Sequence, residues 1–515
     1  MTQHIAVVLS LKFLGCGRCG AFVTMPHLVR LRGEFLSKVW EPELPRPPKA
    51  PKQSWHERYR YGLIAFSFAM FGLVLALPTP EGLSPEGHRA AAVFVLCVLF
   101  WVLQVIPLQI TSIMAIVLLP ITGVMSSAEA FSLFGNNAVF FILGAFIISA
   151  VLVECGLSTR ITCRVLQRTA TTPRRLRGGI LLLGAFASFW MSEHAVAAMM
   201  FPIILSVVTS AGLTPDSRYA RSLFLAMAWG CIIGGIATYL GGARNPLAMG
   251  ILFEATHLKI GFVQWLVADL PVVVIMLGVA IAVLHFQYPT EPIDLPQATR
   301  VLEGRLAELG PLSNREKGVA VVTVITILAW IFLREWVSLG VTAMAGVAVL
   351  FILKLTSWPD IERNVNWGVF LMYGGAITLG QALNQTGAAD WAIKSMLAGS
   401  QPHPLLLLGI VIFISMLLTE FISNAAVVSL MMPVVISLAS TMDMDPIVMT
   451  FAVALPSGLT FILPMGTPAN AIALGSGFPQ MNDFFRAGLI LVAAAYILFM
   501  LTATFWWPLL GYKVW

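Results

Sequence analysis

Apolar residues occur along this chain in long uninterrupted blocks rather than in short alternating runs. A block of about 18 or more apolar residues predicts a membrane-spanning helix, because roughly 20 helical residues cross the hydrocarbon core. Lipid offers the backbone no hydrogen-bond partners, so such blocks must be helical, whereas a transmembrane barrel would alternate polar and apolar residues. The pattern predicts eleven spans, at 62–78, 89–106, 109–125, 137–156, 222–252, 264–287, 318–334, 338–355, 367–386, 447–474 and 485–510.

Two further apolar stretches, 178–210 and 405–439, are too long for a single crossing and carry polar residues at their centres. We therefore expect each of them to form a hairpin that enters and leaves the membrane on the same side. The predicted fold is an all-α polytopic membrane protein with inverted repeats, about eleven transmembrane helices and two re-entrant hairpins.

The composition supports this fold and excludes several other classes of protein. Hydrophobic residues make up 58% of the 515 positions and charged residues only 11%, too few to cover the surface of a soluble protein of this length. The net charge of +6 comes mainly from a few loops, so it reports orientation in the bilayer and does not indicate nucleic-acid binding. A lone CxxC at Cys16 and Cys19 has no second pair at metal-ligand spacing, and no cofactor is predicted.

Loop charges divide the chain and orient it. Residues 1–60 are predicted to be a basic cytoplasmic arm with a proline-rich linker, and 291–317 a cytoplasmic linker between a first half, 61–290, and a second half, 318–515. Six arginines follow the span 137–156, whereas the loop 79–88 has no Lys or Arg. Because basic loops stay in the cytoplasm, we expect a cell inner-membrane protein with its N-terminus in the cytoplasm and its C-terminus outside.

Three segments recur in the same order in the two halves. The pairs are 137–144 with 367–374, 188–202 with 419–433, and 242–250 with 467–475, at offsets of 230, 231 and 225. Five predicted spans separate the two copies, so the halves have opposite orientations. Inverted repeats of this kind are typical of alternating-access transporters, whose site lies at the midplane where broken helices meet.

The hairpin tips and the interrupted spans have the chemistry of an ion site. A turn at membrane depth frees carbonyl oxygens that can bind a cation, and the helix that starts after it presents N–H groups and a positive dipole end to an anion. The spans interrupted near 241–246 and 466–470 add further unwound backbone, which membranes tolerate only where protein or a wet cavity satisfies it. Adjoining cation and anion sites give symport a physical basis.

At the second tip, Ser423-Asn424-Ala425, and the loop 463–470, the chain resembles the divalent anion:sodium symporter (DASS) family. The resemblance extends from about residue 60 to 510, and the specific marks of the family are paired Ser-Asn-Thr tips and a T-P-x-N loop. It implies a homodimer that moves its hairpins by an elevator-type shift. The implied substrates are di- or tricarboxylates, or sulfate.

The resemblance also assigns residues to sites. It implies two sodium sites, the first formed by Ser188, Ser192, Gly241 and Gly242 and the second by Thr419, Ser423, Asn424 and Gly466. With the residues singled out below, the expected substrate-binding set is Ser192, Glu193, His194, Arg244, Asn245, Ser423, Asn424, Thr467 and Asn470.

The first half departs from the family pattern at three ionisable residues. Its tip reads Ser192-Glu193-His194, and its loop contains Arg244. Ionisable residues at membrane depth are costly and indicate function. Our hypothesis is that Glu193 and Arg244 pair, so that Arg244 acts as a tethered cation in place of the first sodium, and that His194 takes a proton or donates to the anion. Alternatively, Glu193 supplies a carboxylate oxygen to sodium. Ala425 lacks the threonine hydroxyl of the family's second tip.

The predicted function is secondary active transport of small anions, most simply di- or tricarboxylates, with sodium or altered coupling. A proton-coupled or exchange-type permease for another anion such as sulfate, or an arsenite-type permease or channel, remains open. An enzyme is not expected, because no HExxH motif or second histidine cluster accompanies Glu193-His194. Glu154 is interpreted as a salt-bridge partner at the membrane interface, and Glu420 as a neighbour of the second tip rather than a part of the site.

Overall fold

The computed structural model describes residues 55–333, 336–397 and 402–514, and every regular element in these ranges is helical. The all-helical polytopic fold predicted from the sequence is thereby confirmed. Residues from Tyr59 onward form one compact unit. The predicted basic arm, 1–60, lies almost entirely outside the described residues, and the CxxC motif lies outside them as well.

In the division into a first half, 61–290, and a second half, 318–515, the first helix begins before residue 61. The helices of the first half are α1 (Trp55–Ala76), α2 (Pro85–Leu103), α3 (Leu108–Ile121), α4 (Ser127–Phe134), α5 (Asn137–Glu154), α6 (Leu157–Thr169), α7 (Pro173–Ser188), α8 (Glu193–Ser210), α9 (Arg218–Ile236), α10 (Arg244–Thr256) and α11 (Phe262–Gln287). The linker between the halves forms α12 (Leu295–Glu308).

The second half begins with α13, whose first turn precedes residue 318. Its elements are α13 (Asn314–Phe332), α14 (Leu339–Ile352), α15 (Trp358–Asn364), α16 (Trp367–Gln385), α17 (Ala388–Leu397), α18 (Pro404–Phe421), α19 (Asn424–Thr441), α20 (Pro446–Ala454), a 3-10 turn (Pro456–Gly458), α21 (Pro468–Gly475), α22 (Met481–Leu501), a π-helical segment (Thr502–Trp506) and α23 (Trp507–Leu509).

Nine helices among the described residues are long and apolar enough to cross a membrane, and three of these are the hairpin arms α8, α18 and α19. Several predicted spans correspond instead to shorter apolar helices, such as α3 and α14. The predicted spans 222–252 and 447–474 are each divided into two helices. The interruptions expected near 241–246 and 466–470 overlap the unwound stretches 237–243 and 459–467, but residues 244–246 and 468–470 are already helical.

Each hairpin turns where the sequence places polar residues. The helix α7 ends at Ser188 and α8 begins at Glu193, while α18 ends at Phe421 and α19 begins at Asn424. At the second tip the Ser423 hydroxyl accepts a hydrogen bond from Ala426 N at 3.3 Å. A serine cap of this kind satisfies one of the first N–H groups of a helix, which fixes where the helix starts.

A proline in α11 ties the C-terminal segment to the first half. Pro271 has no N–H, so it leaves the carbonyl oxygen of Val267, four residues earlier, without its helical donor. The indole of Trp506 donates to this oxygen at 2.9 Å, and Trp507 donates to Ala268 O at 3.2 Å. The two tryptophans therefore satisfy backbone groups of α11 inside the apolar part of the protein.

Two of the loop arginines hold the linker in place through ion pairs, one of them buried (Arg160) and one partly exposed (Arg315). Arg160 is buried and bonds the Glu316 carboxylate at 2.6 Å and the carbonyl oxygen of Gly310 at 2.8 Å. Arg315 binds Glu154 at 2.7 Å, so Glu154 is a salt-bridge partner as the sequence analysis expected.

Candidate functional site

The first hairpin tip contacts the unwound stretch 237–243 through its backbone. Glu193 N donates to Gly241 O at 2.8 Å, which joins the start of α8 to the interrupted span between α9 and α10. Thr238 Oγ1 donates to Phe189 O at 2.6 Å from the same stretch. The tip and the unwound loop are therefore one connected unit.

A buried ion pair lies at this junction. Arg244 Nη1 lies 3.1 Å from Glu193 Oε1, and each side chain is only 1% exposed. Both residues stand in the first turn of a helix, Glu193 in α8 and Arg244 in α10. The structure thus brings together the two ionisable residues that the sequence analysis paired.

Glycines make room for both side chains. A Cβ on Gly235 would lie 2.0 Å from Glu193 Oε2, and a Cβ on Gly458 would lie 2.2 Å from Arg244 Nη2. The guanidinium of Arg244 also packs against Gly242, a predicted sodium ligand. A Cβ on Gly242 would lie 2.5 Å from Arg244 Nη1. Because Gly458 belongs to the second half, Arg244 contacts both halves of the molecule.

Several polar atoms at this tip have no hydrogen-bond partner in the described structure although they are buried. They are Arg244 Nε and Nη2, Glu193 Oε2, His194 Nδ1 and the Ser188 hydroxyl. Buried polar groups are normally paired, so each unpaired one requires an explanation. Two guanidinium nitrogens without acceptors form a donor pair suited to a carboxylate or a sulfate oxygen edge.

His194 lies beside the ion pair and is partly accessible. Its Nδ1 is 3.7 Å from Glu193 Oε1, and its side chain is 36% exposed. Ser192 is half-buried and makes no capping bond.

The second tip has an oxygen cluster where the first has the ion pair. The Thr419 hydroxyl lies 2.9 Å from Asn424 Oδ1, 2.6 Å from Ser457 O and 3.3 Å from Thr460 Oγ1. Hydroxyl, amide and carbonyl oxygens are hard ligands of the kind that cations such as sodium prefer. Of the predicted second sodium ligands, Thr419 and Asn424 belong to this cluster, whereas Ser423 caps α19.

Gly241 and Gly466 occupy equivalent positions in the two unwound stretches. A Cβ on Gly241 would lie 2.5 Å from Ser188 O, and one on Gly466 would lie 2.6 Å from Thr419 O. Ser188 and Thr419 are the residues that the 231-residue offset pairs. The internal repeat therefore corresponds to matching backbone contacts at the two tips.

Asn245 and Asn470 make matching hydrogen bonds across these stretches. Asn245 Nδ2 donates to Gly235 O at 3.1 Å, and Asn470 Nδ2 donates to Thr460 O at 2.9 Å. Both Oδ1 atoms are buried and have no hydrogen-bond partner among the described residues. The same is true of the Thr467 hydroxyl.

Glu420 holds the second unwound stretch by its backbone. Its carboxylate accepts hydrogen bonds from Phe461 N at 3.0 Å, Ile462 N at 3.1 Å and Leu463 N at 2.7 Å. This carboxylate is therefore saturated by donors and positions the loop, which agrees with its interpretation as a neighbour of the site.

Sequence reasoning missed three residues at or near the two tips. Thr460 and Gly458 lie outside the repeated segments that were aligned, although the 225-residue offset pairs Thr460 with Gly235. Asp269 lies within a predicted span, and a carboxylate in an apolar block is itself a signal.

A family model described as the sodium:sulfate symporter transmembrane region matches residues 59–513. The chain is 25% identical over 434 residues to the sodium-dependent dicarboxylate transporter SdcS of Staphylococcus saprophyticus. The aligned region covers 79% of this chain and 84% of the relative. It is 25% identical over 447 residues to SdcS of Staphylococcus aureus, which covers 81% of this chain and 86% of that relative.

Two solved structures have a similar fold. The YdaH transporter of Alcanivorax borkumensis has a TM-score of 0.51 at 14% identity and covers 89% of this chain and 98% of its own. MtrF of Neisseria gonorrhoeae, described among antimetabolite efflux pumps, has a TM-score of 0.52 at 12% identity and covers 86% of this chain and 93% of its own. At these identities the likeness shows the fold alone.

Proposed function

The chain belongs to the sodium:sulfate symporter (DASS) family of membrane transporters, and from that premise we propose that it moves small di- or tricarboxylates by secondary active transport with altered sodium coupling. In this proposal one sodium ion binds at the second hairpin tip, and the guanidinium of Arg244 takes the place of sodium at the first. The named relatives, which are sodium-dependent dicarboxylate transporters, support the class of substrate.

The observation that carries the proposal is the difference between the two tips. At repeat-related positions the first half has Ser188 and Glu193 where the second has Thr419 and Asn424. Glu193 forms a buried pair with Arg244, whereas Thr419 and Asn424 form a neutral oxygen cluster. The guanidinium of Arg244 occupies the space at the first tip. Its fixed positive charge and its volume would both exclude a free cation there. The second tip keeps its oxygens available to sodium.

Anion recognition follows from the same residues. The helices α8, α10, α19 and α21 all begin at the two tips and the two unwound stretches, so their N-terminal dipole ends share one region. The unpaired Arg244 nitrogens add a bidentate donor for one carboxylate. Asn424, Thr467 and Asn470 supply polar groups on the second side.

The transport cycle we propose is alternating access by an elevator-type movement of the two hairpins in a homodimer. The chain would lie in the cell inner membrane with its N-terminus in the cytoplasm and its C-terminus outside, as the loop charges indicate. The boundaries 61–290 and 318–515 are proposed as the two structural repeats. These statements rest on the sequence pattern and on the family.

Uptake of labelled succinate, citrate and sulfate into proteoliposomes tests the proposal. We expect accumulation of a dicarboxylate or tricarboxylate, stimulated by external sodium with a hyperbolic dependence that indicates one ion per cycle. A sigmoidal sodium dependence would contradict the tethered-cation role of Arg244. Asn424→Ala serves as the inactive control, because it removes an oxygen shared by the proposed sodium and anion sites.

Sulfate as the preferred substrate is the second candidate, since the family description names it. Competition between sulfate and succinate for uptake distinguishes the two substrate assignments. If unlabelled sulfate abolishes labelled succinate uptake at low concentration and is itself accumulated faster, the carboxylate assignment fails while the fold and the site remain.

A further inference from the structure

Asp269 is a carboxylate buried inside the membrane-spanning helix α11. Its side chain is 0% exposed, and neither carboxylate oxygen has a hydrogen-bond partner among the described residues. Glu420, by comparison, accepts hydrogen bonds from three backbone N–H groups. A buried ionised carboxylate without any donor is unfavourable, because nothing replaces the water that it has lost.

The position of Asp269 places it next to the first tip. It follows Trp265 by one helical turn, so both side chains lie on the same face of α11. The Trp265 indole donates to Ile236 O at 3.0 Å, and Ile236 is the last residue of α9 before the unwound stretch 237–243. The face of α11 that carries Asp269 therefore packs against the start of the loop that leads to Arg244.

Arg244 begins α10 directly after the unwound stretch 237–243 that this face of α11 approaches, and in the described structure it makes no direct ion pair with Asp269. Glu193 already holds Arg244 at 3.1 Å. Glu193, Asp269 and Arg244 together carry two carboxylates and one guanidinium, so one negative charge is unbalanced when both carboxylates are ionised.

His194, whose Nδ1 lies 3.7 Å from Glu193 Oε1, is the titratable neighbour at the tip and is partly exposed. The other charged side chains do not restore the balance. Those of α7, α9 and α22 gather at the far end of α11, where Arg177 bonds Tyr288 O, Arg218 bonds Gln287 O, and Asp483 bonds the Tyr288 hydroxyl. At 1.5 Å per residue this end lies about 27 Å from Asp269. The charged residues of α13 stand in its first turn, and the π-helical segment has none.

We propose that Asp269 is a proton-binding site of the transport cycle. Its carboxylate takes a proton from water on one side of the membrane, holds it as the neutral carboxyl in the conformation described here, and releases it to water on the other side. The proposal rests on the proposed function, since proton uptake is useful only if the chain carries an anion.

Coupling follows from the shared charge. An anion bound to the free nitrogens of Arg244 cancels the positive field at Asp269 and makes proton binding there more favourable. By linkage, a proton on Asp269 strengthens anion binding by the same factor. The anion and the proton are therefore transported together. Asp269 would supply a coupling proton in addition to the sodium ion proposed at the second tip.

Proteoliposomes loaded with a pH-sensitive dye test this directly, with labelled succinate, citrate or sulfate as the probe. In sodium-free buffer an inward proton gradient should stimulate uptake by wild type between roughly fivefold and 100-fold, the usual size of such couplings. Asp269→Asn, which keeps the shape of the neutral acid, should retain exchange of labelled for unlabelled anion but lose the proton stimulation and the dye signal. Asp269→Glu should restore both.

The outcomes separate the two proposals. Asp269→Asn that keeps the proton stimulation, or that loses exchange together with it, overturns the role of Asp269. A wild type that exchanges anions without any proton movement overturns it as well. A wild type that transports none of the three anions contradicts the proposed function instead, and protonation is then decided by spectroscopy.

Infrared spectra of the purified full-length protein near neutral pH provide that readout. We expect a carboxylic-acid C=O band in wild type that disappears in Asp269→Asn. The matched control is Glu154→Gln, which removes a carboxylate that Arg315 holds as an ion pair at 2.7 Å and should leave the band in place. A band that persists in Asp269→Asn overturns the proposal without reference to transport.

Discussion

Asn245 and Asn470 make the same hydrogen bond in the two halves of the molecule. Each side-chain amide donates to the carbonyl oxygen ten residues before it, Gly235 O at 3.1 Å and Thr460 O at 2.9 Å, and each leaves its own Oδ1 without a partner. Each bond spans an unwound stretch between two helices. The two asparagines therefore hold the broken helices in register and keep one free acceptor at each break.

Replacing Asn470 by Asp converts the donor into an acceptor that faces Thr460 O. We expect a loss of about 1–3 kcal/mol in the free energy of unfolding, because the bond is lost and two acceptors are left in contact, together with loss of anion uptake. Asn245→Asp should cost at least as much, because its amide also donates to Thr238 O at 2.7 Å. Asn364→Asp, which removes an exposed amide bond to Asp360 O, is the control and should leave both quantities unchanged; equal effects at all three sites would contradict the prediction.

The buried pair Glu193–Arg244 should be strongly coupled. Glu193→Gln and Arg244→Gln should each lower stability by about 3–5 kcal/mol, because each leaves an unpaired buried charge, whereas the double variant should cost much less than the sum. Thermal unfolding of wild type, the two single variants and the double variant in detergent completes a double-mutant cycle and measures the coupling free energy. The exposed pair Arg305–Glu308, at 3.3 Å, is the matched cycle and should show a coupling of at most about 1 kcal/mol.

Gly458→Ala should displace the guanidinium of Arg244, since the new Cβ would lie 2.2 Å from Nη2. We expect a loss of about 1–3 kcal/mol for this overpacking and reduced anion affinity. The same change in a Glu193→Gln/Arg244→Ala background should cost far less. Gly475→Ala, where a Cβ meets nothing within 4 Å, is the control. A cost that does not depend on Arg244 would show that backbone strain is responsible.

Thr419→Val keeps the volume of the side chain and removes the hydroxyl that bonds Asn424 and Ser457. If sodium binds at the second tip, sodium stimulation of anion uptake should disappear. Ser188→Ala, the repeat-related change at the first tip, should leave sodium stimulation intact because Arg244 replaces the ion there. The result that would count against the proposal is loss of sodium stimulation in both variants.

Acid should weaken the contact between the first half and the linker. The hydrogen bonds from Arg160 lower the pKa of Glu316 from 4.5 to about 2. Glu316 lies in the first turn of α13, before its apolar part. Since this pKa is depressed on folding, its contribution to stability is present above pH 4.5 and is lost as the pH falls toward 2.

The thermal midpoint of the detergent-solubilised protein should therefore fall between pH 4.5 and 2 more steeply in wild type than in Glu316→Gln. Glu303→Gln, which removes the charge of a carboxylate that accepts an exposed 3.2 Å bond from Gln167, is the comparison and should follow wild type. Parallel curves for wild type and Glu316→Gln would show that Glu316 does not cause the acid sensitivity.

The sequence predicted the helical fold, the two hairpins and the region of the tips, because apolar block length and internal repetition are read directly from residue order. It also paired Glu193 with Arg244, since two opposite charges at membrane depth have few other partners. It did not predict Thr460 in the oxygen cluster or Gly458 against the guanidinium. Both depend on contacts between segments far apart in the chain, which residue order alone does not reveal.

Asp269 was missed for a different reason. One carboxylate in a long apolar block changes the average hydropathy of that block little. The block 264–287 is therefore predicted to span the membrane whether or not Asp269 is charged. The feature that distinguishes Asp269 is the lack of a donor for either carboxylate oxygen among the described residues, and residue order does not show this.

The hydrogen bond from Trp506 to Val267 O has a consequence for the order in which the protein is made. The acceptor is synthesised 239 residues before its donor, an interval of roughly 12–48 s at the usual rate of 5–20 residues per second. During that time α11 enters the membrane with a carbonyl that Pro271 has deprived of its helical donor. The first half therefore cannot reach its final packing until the last residues have left the ribosome, and a chain released before Trp506 would be a candidate for recognition by membrane quality-control proteases.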